Sequence, residues 1–186
     1  MHPFDWTVDK TRHIIQDEWV SLRSDDCVMP DGTSVAPYYV LEYMDWISLF
    51  ALTSDDEVVL VRQYRHGAGK TILELPCGRV DDADESALET AKRELMEETG
   101  YAVESIAPSG VMYANASSHT NKTYSFVATG AHLEGVQKLD DYEQIEVVLM
   151  PLPELMNLMN SDTLFPTSHH ATVYNGLRAL GRLKLD

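Results

Sequence analysis

The alternation of apolar and polar positions predicts that the chain begins as a series of strands. The segment up to about Val35 spreads aromatic and aliphatic residues among charged ones. It contains a turn signal at Met29-Pro30-Asp31-Gly32, so we expect a hairpin-forming arm. The next three strands are predicted from runs of aromatic and β-branched residues, the last of them buried, at Tyr38 to Tyr43, Trp46 to Leu52 and Val58 to Val61.

After a further short strand at Thr71 to Pro76, the period of the apolar positions changes to that of a helix. Ala87, Ala91 and Leu95 form one apolar stripe within Ser86 to Thr99. Ser86 and Glu89 have the spacing of a capping box, which marks the start of the helix. Gly100 stands where the C-terminus of a helix favours a residue that tolerates positive φ.

The remainder of the chain mixes strands and helices. Strands are predicted at Ser109 to Met112, Thr123 to Ala128 and Ile145 to Met150. Helices are predicted at Leu152 to Met159, where Pro153 stands near the start, and at Thr172 to Leu183. Strands with helices between and after them indicate an α/β sandwich.

Composition and charge narrow the classes of function. A chain of 186 residues, with 44% apolar and 24% charged residues, suits one folded domain with a short N-terminal extension. A net charge of −16 argues against nucleic acid as a partner, because such partners require a basic surface. The first residues lack the pattern of a secretory signal, and no apolar run approaches the ~20 residues of a membrane span, so we expect a cytoplasmic protein without membrane contact.

Three carboxylates provide the main candidate chemistry. Glu94, Glu97 and Glu98 stand at positions i, i+3 and i+4, so their side chains project from one face of the predicted helix. Their mutual repulsion costs a few tenths of a kcal/mol per pair in an isolated helix. A solvated helix face would explain such a cluster by itself, but Mg²⁺, which takes carboxylate oxygens, would relieve the repulsion.

Residues around the cluster suggest how it is framed. Arg93 lies eight residues after Glu85, or about two helical turns, so we expect the two side chains to pair. Gly78 permits a backbone bend that would direct the carbonyl of Cys77 at a metal. Cys27 and Cys77 have neither zinc-site spacing nor the pattern of a disulfide framework.

These residues, taken in order, resemble the signature of the Nudix family. The matching positions are Glu85, Arg93, Glu94, Leu95, Glu97, Glu98 and Gly100. The chain departs from the signature in two places, because six residues instead of five separate Gly78 from Glu85, and Tyr101 replaces an aliphatic residue. The resemblance implies a Nudix-type α/β/α sandwich with a mixed sheet at 41–186, preceded by a β-rich arm at 1–40.

The segments beside this signature, which we call the Nudix box, resemble the branch of the family that cleaves ADP-ribose and nucleotide sugars. They are the run Val59 to Arg65 and the tripeptide Glu74-Leu75-Pro76. This resemblance implies hydrolysis of the diphosphate by an activated water, with release of a nucleoside monophosphate and a sugar phosphate. It also implies a homodimer whose N-terminal strands help to build the partner's site.

The resemblance assigns roles to particular residues. It implies that Mg²⁺, with Mn²⁺ as an alternative, is held by Glu94, Glu97, Glu98 and the carbonyl of Cys77. Glu97, Glu98 and Arg93 are then catalytic. Glu143 is the candidate general base, although its acidic surroundings are equally consistent with a solvated loop. The candidate substrate-binding cations are Arg62, Arg79 and Arg65. Arg62 and Arg65 could instead be surface ion-pair partners, and the residues alone favour substrate binding for Arg62 and the ion pair for Arg65.

Two other functions stay open from the sequence. One keeps the chemistry but changes the substrate to a dinucleoside polyphosphate or a damaged nucleoside triphosphate. The other is a ligand-sensing Nudix domain that binds a nucleotide sugar without cleaving it. Retention of all the box carboxylates disfavours the sensing domain.

Overall fold

The computed structural model describes residues 2–81, 84–161 and 165–183. It divides into two compact units. The first contains the described residues up to Met44 together with Tyr113–Lys122, and the second contains Asp45–Met112 and the described residues from Thr123 onward. The division of function between an arm at 1–40 and a domain at 41–186 stays a prediction.

The first unit is built on a three-stranded antiparallel sheet in the order β1-β2-β3. Its strands are β1 (Thr7–Gln16), β2 (Ser21–Val28) and β3 (Ser34–Glu42). The predicted turn is present between β2 and β3, where the N–H of Gly32 donates to the carbonyl of Met29 and Gly32 adopts a φ of 86°. Strand β1 lies at the edge of this sheet and is exposed along its whole length.

The second unit is built on an eight-stranded mixed sheet. Its strands are β4 (Trp46–Thr53), β5 (Glu57–Arg65), β6 (Lys70–Glu74), β7 (Cys77–Arg79), β8 (Tyr101–Ala102), β9 (Ser105–Tyr113), β10 (Lys122–Leu133) and β11 (Glu146–Pro151). Strands β11-β5-β4-β10-β8 follow one another across the sheet, while β6 pairs with β5, β7 with β4 and β9 with β10. Strands β4 and β10 pair in parallel, whereas β4 with β5 and β7, β5 with β6 and β11, and β8 with β10 pair antiparallel.

Three helices cover the two faces of this sheet. Helix α1 (Ala87–Thr99) packs through Ala91 and Leu95 on one face, against Leu49 and Val59. Helices α2 (Leu152–Met159) and α3 (Thr167–Ala179) cover the other face. Because adjacent residues of a strand face opposite sides, the buried run Val58 to Val61 contributes to both apolar layers. The result is the predicted α/β/α arrangement.

Most predicted helices and strands are present, but several begin or end at residues other than those predicted. Helix α2 has the predicted bounds, and α1 begins one residue after its predicted start, at its N-cap Ser86. The last helix begins at Thr167, five residues earlier than predicted, because the chain enters it from Pro166, a residue whose fixed φ suits the edge of a helix. Within the described residues no helix combines the length and the apolar character that a membrane span requires.

Candidate active site

Helix α1 fixes the spacing of the box glutamates. The hydroxyl of its N-cap residue Ser86 accepts a hydrogen bond from the N–H of Glu89, as the capping box predicts. At the other end the N–H of Gly100 donates to the carbonyl of Met96, and Gly100 takes a φ of 74°. The predicted N-terminal capping residue and the predicted end of the helix are therefore correct, and the glutamates fall within its last two turns.

Glu98 is the most deeply buried of these carboxylates, with 3% of its surface exposed. Its Oε2 accepts a hydrogen bond of 3.1 Å from the backbone N–H of Cys77, at the start of β7. Burial raises the pKa of Glu98 well above its usual value, and the nearby charges of Glu94 and Glu143 raise it further. At this carboxylate the cost of burial therefore outweighs the favourable charge of Arg65.

Glu94 lies against Gly78 of β7. A Cβ atom built on Gly78 would stand 2.0 Å from the carboxyl carbon of Glu94, so only glycine leaves room for this carboxylate. Burial is the main cause that raises the pKa of Glu94 to about 7, and the charges of Glu97 and Glu143 act in the same direction. The box glycine therefore makes space for a carboxylate. It lies within β7, opposite Ile47, and does not adopt a positive φ.

Arg93 joins the entry loop to the glutamates. Its Nε and Nη2 donate to the two carboxylate oxygens of Asp84 at 3.2 and 2.9 Å, and its Nη1 lies 3.0 Å from Glu94 Oε1 and 2.8 Å from Glu97 Oε2. The prediction that Arg93 pairs with Glu85 is wrong, because the guanidinium donates instead to Asp84, the residue before Glu85. The predicted connection between loop and helix nevertheless exists.

Glu143 lies near the same glutamates although it is distant in the sequence. It is exposed in the loop before β11, where its Oε2 accepts a hydrogen bond from the N–H of Asp140 at 3.1 Å. Its charge raises the pKa of both Glu94 and Glu98. The candidate base therefore lies within electrostatic range of Glu94 and Glu98, and its role stays a prediction.

The three candidate arginines have different surroundings. Arg65 donates to the buried carboxylate of Glu74 at 2.8 Å, its Nη2 lies 3.6 Å from the sulfur of Cys77, and its charge lowers the pKa of Glu98. Arg62 instead forms an ion pair of 2.7 Å with Glu146 on the surface. Both arginines thus form ion pairs, and only Arg65 is seen to act electrostatically on Glu98. Which arginine binds substrate stays a prediction.

Arg79 and the thiol of Cys77 contribute less to this geometry. Arg79 forms an exposed ion pair of 3.1 Å with Asp81. Burial raises the pKa of the Cys77 thiol well above its usual value, so the thiol stays neutral and is a poor nucleophile. The part of Cys77 that concerns the site is its backbone.

The donors at this site fit a hard divalent cation. Oxygen is the ligand atom that Mg²⁺ prefers, and the charge of Glu94 raises the pKa of Glu98, so a cation between them would relieve an unfavourable interaction. Among residues 2–81, 84–161 and 165–183, no three His, Cys, Asp or Glu side chains are already gathered as a metal-binding group. Arg93 draws the carboxylates of Glu94 and Glu97 towards itself, while the N–H of Cys77 holds that of Glu98.

Two supporting residues were not found from the sequence. Glu74 is buried at the end of β6 and balances Arg65. His169 of α3 is also buried, and its Nδ1 accepts a hydrogen bond of 3.2 Å from the N–H of Leu75, which precedes the Pro76-Cys77 step into β7. The tripeptide Glu74-Leu75-Pro76 carries a resemblance in the sequence, but no periodic pattern connects it with a histidine 94 residues after Leu75.

Comparison with known families identifies two matching regions. Residues 44–170 match the NUDIX domain, which is more than half of the chain. Residues 6–41 match the N-terminal domain of nucleoside diphosphate sugar hydrolases. The first match covers the box and the sheet that supports it, and the second covers the three-stranded sheet of the first unit.

Individual relatives agree with these matches. The chain is 26% identical to the ADP-ribose pyrophosphatase of Bacillus subtilis (78% of each chain) and 26% identical to the methanol dehydrogenase activator of Bacillus methanolicus (87% of each). It is 32% identical to the ADP-sugar pyrophosphatase of Mus musculus, over 67% of this chain and 57% of that one. A crystal structure described as an ADP compounds hydrolase has the same fold, with a TM-score of 0.81, 21% identity and coverage of 96% of this chain and 97% of that chain. The predicted family, fold and enzyme class are confirmed: the chain belongs to the Nudix family of hydrolases.

Proposed function

We propose that this enzyme hydrolyses the diphosphate of ADP-ribose or a related nucleotide sugar in the presence of Mg²⁺. The observation that carries the proposal is the placement of two buried helix carboxylates against β7: Glu94 fills the space beside Gly78, and Glu98 accepts a hydrogen bond from the N–H of Cys77. The charge of Glu143 raises the pKa of both. A divalent cation and a bound diphosphate would balance these charges in turn. The names of the relatives favour an ADP-linked substrate.

The cation would be held by Glu94, Glu97, Glu98 and the carbonyl of Cys77, with Mn²⁺ as an alternative to Mg²⁺. The antiparallel register places Cys77 opposite Ser48, and its N–H points to Glu98. Because the N–H and C=O of one strand residue face the same edge, the Cys77 carbonyl is directed to the same side. When bound, the ion would neutralise charge on the diphosphate and lower the pKa of the attacking water.

The protein's own groups would handle the proton and the substrate. Glu143 is the proposed general base, since it is exposed on a loop and can approach a water molecule near the diphosphate. Arg93 keeps Glu94 and Glu97 in place through its bonds to both. Among Arg62, Arg65 and Arg79, we propose Arg65 as the main phosphate contact, because its Nη2 lies 3.6 Å from the sulfur of Cys77 and its charge acts on Glu98.

The three-stranded sheet is the proposed dimerisation element. Strand β1 lies at the edge of the described sheet, and it exposes Val8, Ile14 and Ile15. Such an edge is a template for association with another chain. Both cysteines are buried and unpaired, which suits the reducing cytoplasm that we propose as its location.

A substrate panel tests the proposed function. Purified enzyme would be incubated with ADP-ribose, ADP-glucose, GDP-mannose and a dinucleoside polyphosphate, each with Mg²⁺ and each with a chelator. The proposal expects the fastest magnesium-dependent cleavage with an ADP-linked sugar. Preference for the dinucleoside polyphosphate would assign the other hydrolytic activity, and tight binding without cleavage of any compound would assign the sensing function.

A further inference from the structure

We propose that Gln137 is a positioning residue that fixes the loop carrying Glu143 to the helix carrying Glu98. This inference rests on the proposed function, because it concerns how the proposed base is held near the proposed metal ligands. It goes beyond that function by assigning a role to a residue outside the Nudix box.

The chain after β10 runs along the C-terminal end of α1. The N–H groups of Glu134 and Gly135 both donate to the carbonyl of Gly100, at 3.0 and 2.9 Å, and the N–H of Lys138 donates to the carbonyl of Glu97 at 2.9 Å. Carbonyls in the last turn of a helix have no partner within the helix, so these donors complete it. The segment from Glu134 to Lys138 is therefore attached to the turn that carries the metal-site glutamates.

The side chain of Gln137 extends this attachment to the far side of the loop. Its Nε2 donates to the carbonyl of Glu98 at 2.7 Å and to the carbonyl of Ile145 at 3.2 Å. A primary amide has two N–H groups, so one nitrogen can satisfy both carbonyls at once. Ile145 is buried where β11 is about to begin, so Gln137 connects a fixed point of the sheet with a fixed point of the helix.

The two bonds of Gln137 close the base of the loop at residues 138–144. Glu143 lies inside that loop, and local bonds with Asp140 give the loop a tight turn. Loss of the two Gln137 bonds would widen the range of positions available to Glu143. A displacement of a catalytic group by about 1 Å can lower the rate about a hundredfold. A second effect is expected at Glu98, because the same amide bonds to that residue's own carbonyl.

Two substitutions test the hydrogen bonds of the Gln137 amide separately from the volume of its side chain. Gln137→Met keeps the length of the side chain but removes both donors. Gln137→Glu keeps the shape but sets a carboxylate against two carbonyl oxygens. Val136→Met is the matched control, since it places the same new side chain at the neighbouring position, whose own side chain is 75% exposed.

Kinetics with the favoured ADP-linked substrate and Mg²⁺ provide the first test. We expect Gln137→Met to lower kcat at least about tenfold, the scale of supporting-residue effects, with a smaller change in KM. The acidic limb of the pH profile of kcat should also move, because the surroundings of the base change. Val136→Met should behave as the wild type. Equal effects of Gln137→Met and Val136→Met, or no effect of either substitution, would overturn the inference.

A double-mutant cycle with Glu143→Gln distinguishes positioning from general damage. If Gln137 acts through Glu143, Gln137→Met should lower kcat less than about twofold when Glu143 is already replaced by Gln. An undiminished loss in that background would show a structural role unrelated to the base. An unchanged rate for Glu143→Gln itself would also overturn the inference.

Amide hydrogen exchange provides a readout that needs no turnover. Amides at 138–144 should exchange faster in Gln137→Met and Gln137→Glu than in Val136→Met, while those of α1 before Glu97 stay protected. Equal protection of the loop in all variants would contradict the inference, whatever the activity. A wild type that cleaves no diphosphate but shows this exchange pattern would instead remove the proposed function and leave the attachment by Gln137 intact.

Discussion

The guanidinium of Arg93 bonds to both carboxylate oxygens of Asp84, at 2.9 and 3.2 Å, rather than to Glu85. Counted from Gly78, Asp84 has the five-residue spacing of the Nudix signature, whereas Glu85 has the seven-residue spacing counted back from Arg93. In the Nudix signature one glutamate has both spacings. The extra loop residue in this chain divides the two spacings between Asp84 and Glu85. In this chain Asp84 makes the contact with the arginine.

This relationship predicts that Asp84 matters more than Glu85. Asp84→Asn should lower kcat/KM about 10- to 100-fold, because Arg93 would lose the anion that orients it towards Glu94 and Glu97. Glu85→Gln should stay within about twofold of the wild type, and steady-state kinetics of the two isosteric variants give the comparison. A larger loss in Glu85→Gln would contradict the assignment.

The space at Gly78 leads to a second prediction. Gly78→Ala should displace the carboxylate of Glu94, whose carboxyl carbon lies 2.0 Å from the new Cβ position. Since a flexible side chain can move aside, the melting temperature without metal should change little, while kcat/KM falls about tenfold or more and the Mg²⁺ required rises. Gly67→Ala is the control, because no described atom beyond its chain neighbours lies within 4 Å of its new Cβ. Normal magnesium dependence in Gly78→Ala would count against Glu94 as a ligand.

The proposed base gives a third prediction. Glu143→Gln should lower kcat about 10²- to 10⁴-fold, the usual contribution of general base catalysis. Stabilisation by Mg²⁺ in a thermal melt should be unchanged, because the metal ligands remain on α1 and β7. Asp141→Asn, in the same exposed loop, serves as the control. Loss of magnesium stabilisation in Glu143→Gln would make Glu143 a ligand instead of the base.

A fourth prediction is that the protonation of His169 makes the free energy of unfolding depend on pH. Burial, with a smaller contribution from the charge of Arg65, lowers the pKa of His169 to about 3, whereas the unfolded chain titrates near 6.5. Between these values the unfolded state binds the extra proton, so stability is fully present above pH 6.5 and falls as the pH falls. Between pH 7 and pH 5, this one group should lower the free energy of unfolding by about 2 kcal/mol.

Urea unfolding at pH 7 and pH 5 checks this contribution. His169→Gln can still accept the hydrogen bond from Leu75 but cannot titrate, so its stability should fall by about 2 kcal/mol less than that of the wild type. His170→Gln leaves His169 in place and should retain the wild-type difference. Identical losses in all three proteins would show that His169 does not carry the effect.

The sequence predicted the parts of the fold that depend on local pattern. Helix α1 was placed from its apolar stripe, its Ser86 cap and Gly100, all of which act within one or two turns. The strand at Val58 to Val61 followed from its apolar run. The glutamates could be found for the same reason, since positions i, i+3 and i+4 share a helix face whatever lies opposite.

Contacts between distant segments could not be predicted in this way. Asp84 and Glu85 are adjacent carboxylates, and spacing alone does not show which one faces Arg93. Arg62 and Arg65 stand three residues apart on β5, so they face opposite sides, but the pattern does not show which side the glutamates occupy. Gln137 is a single polar residue in a loop, and only the folded chain brings it to Glu98.

Phosphorus NMR of ADP-ribose incubated with the wild type and with Glu98→Gln, in Mg²⁺ and in a chelator, tests the central claim most directly. The account predicts conversion to AMP and ribose 5-phosphate by the wild type in Mg²⁺, and little conversion by the variant or in the chelator. Intact ADP-ribose after prolonged incubation with folded wild-type enzyme and Mg²⁺, or equal rates for wild type and Glu98→Gln, would contradict it.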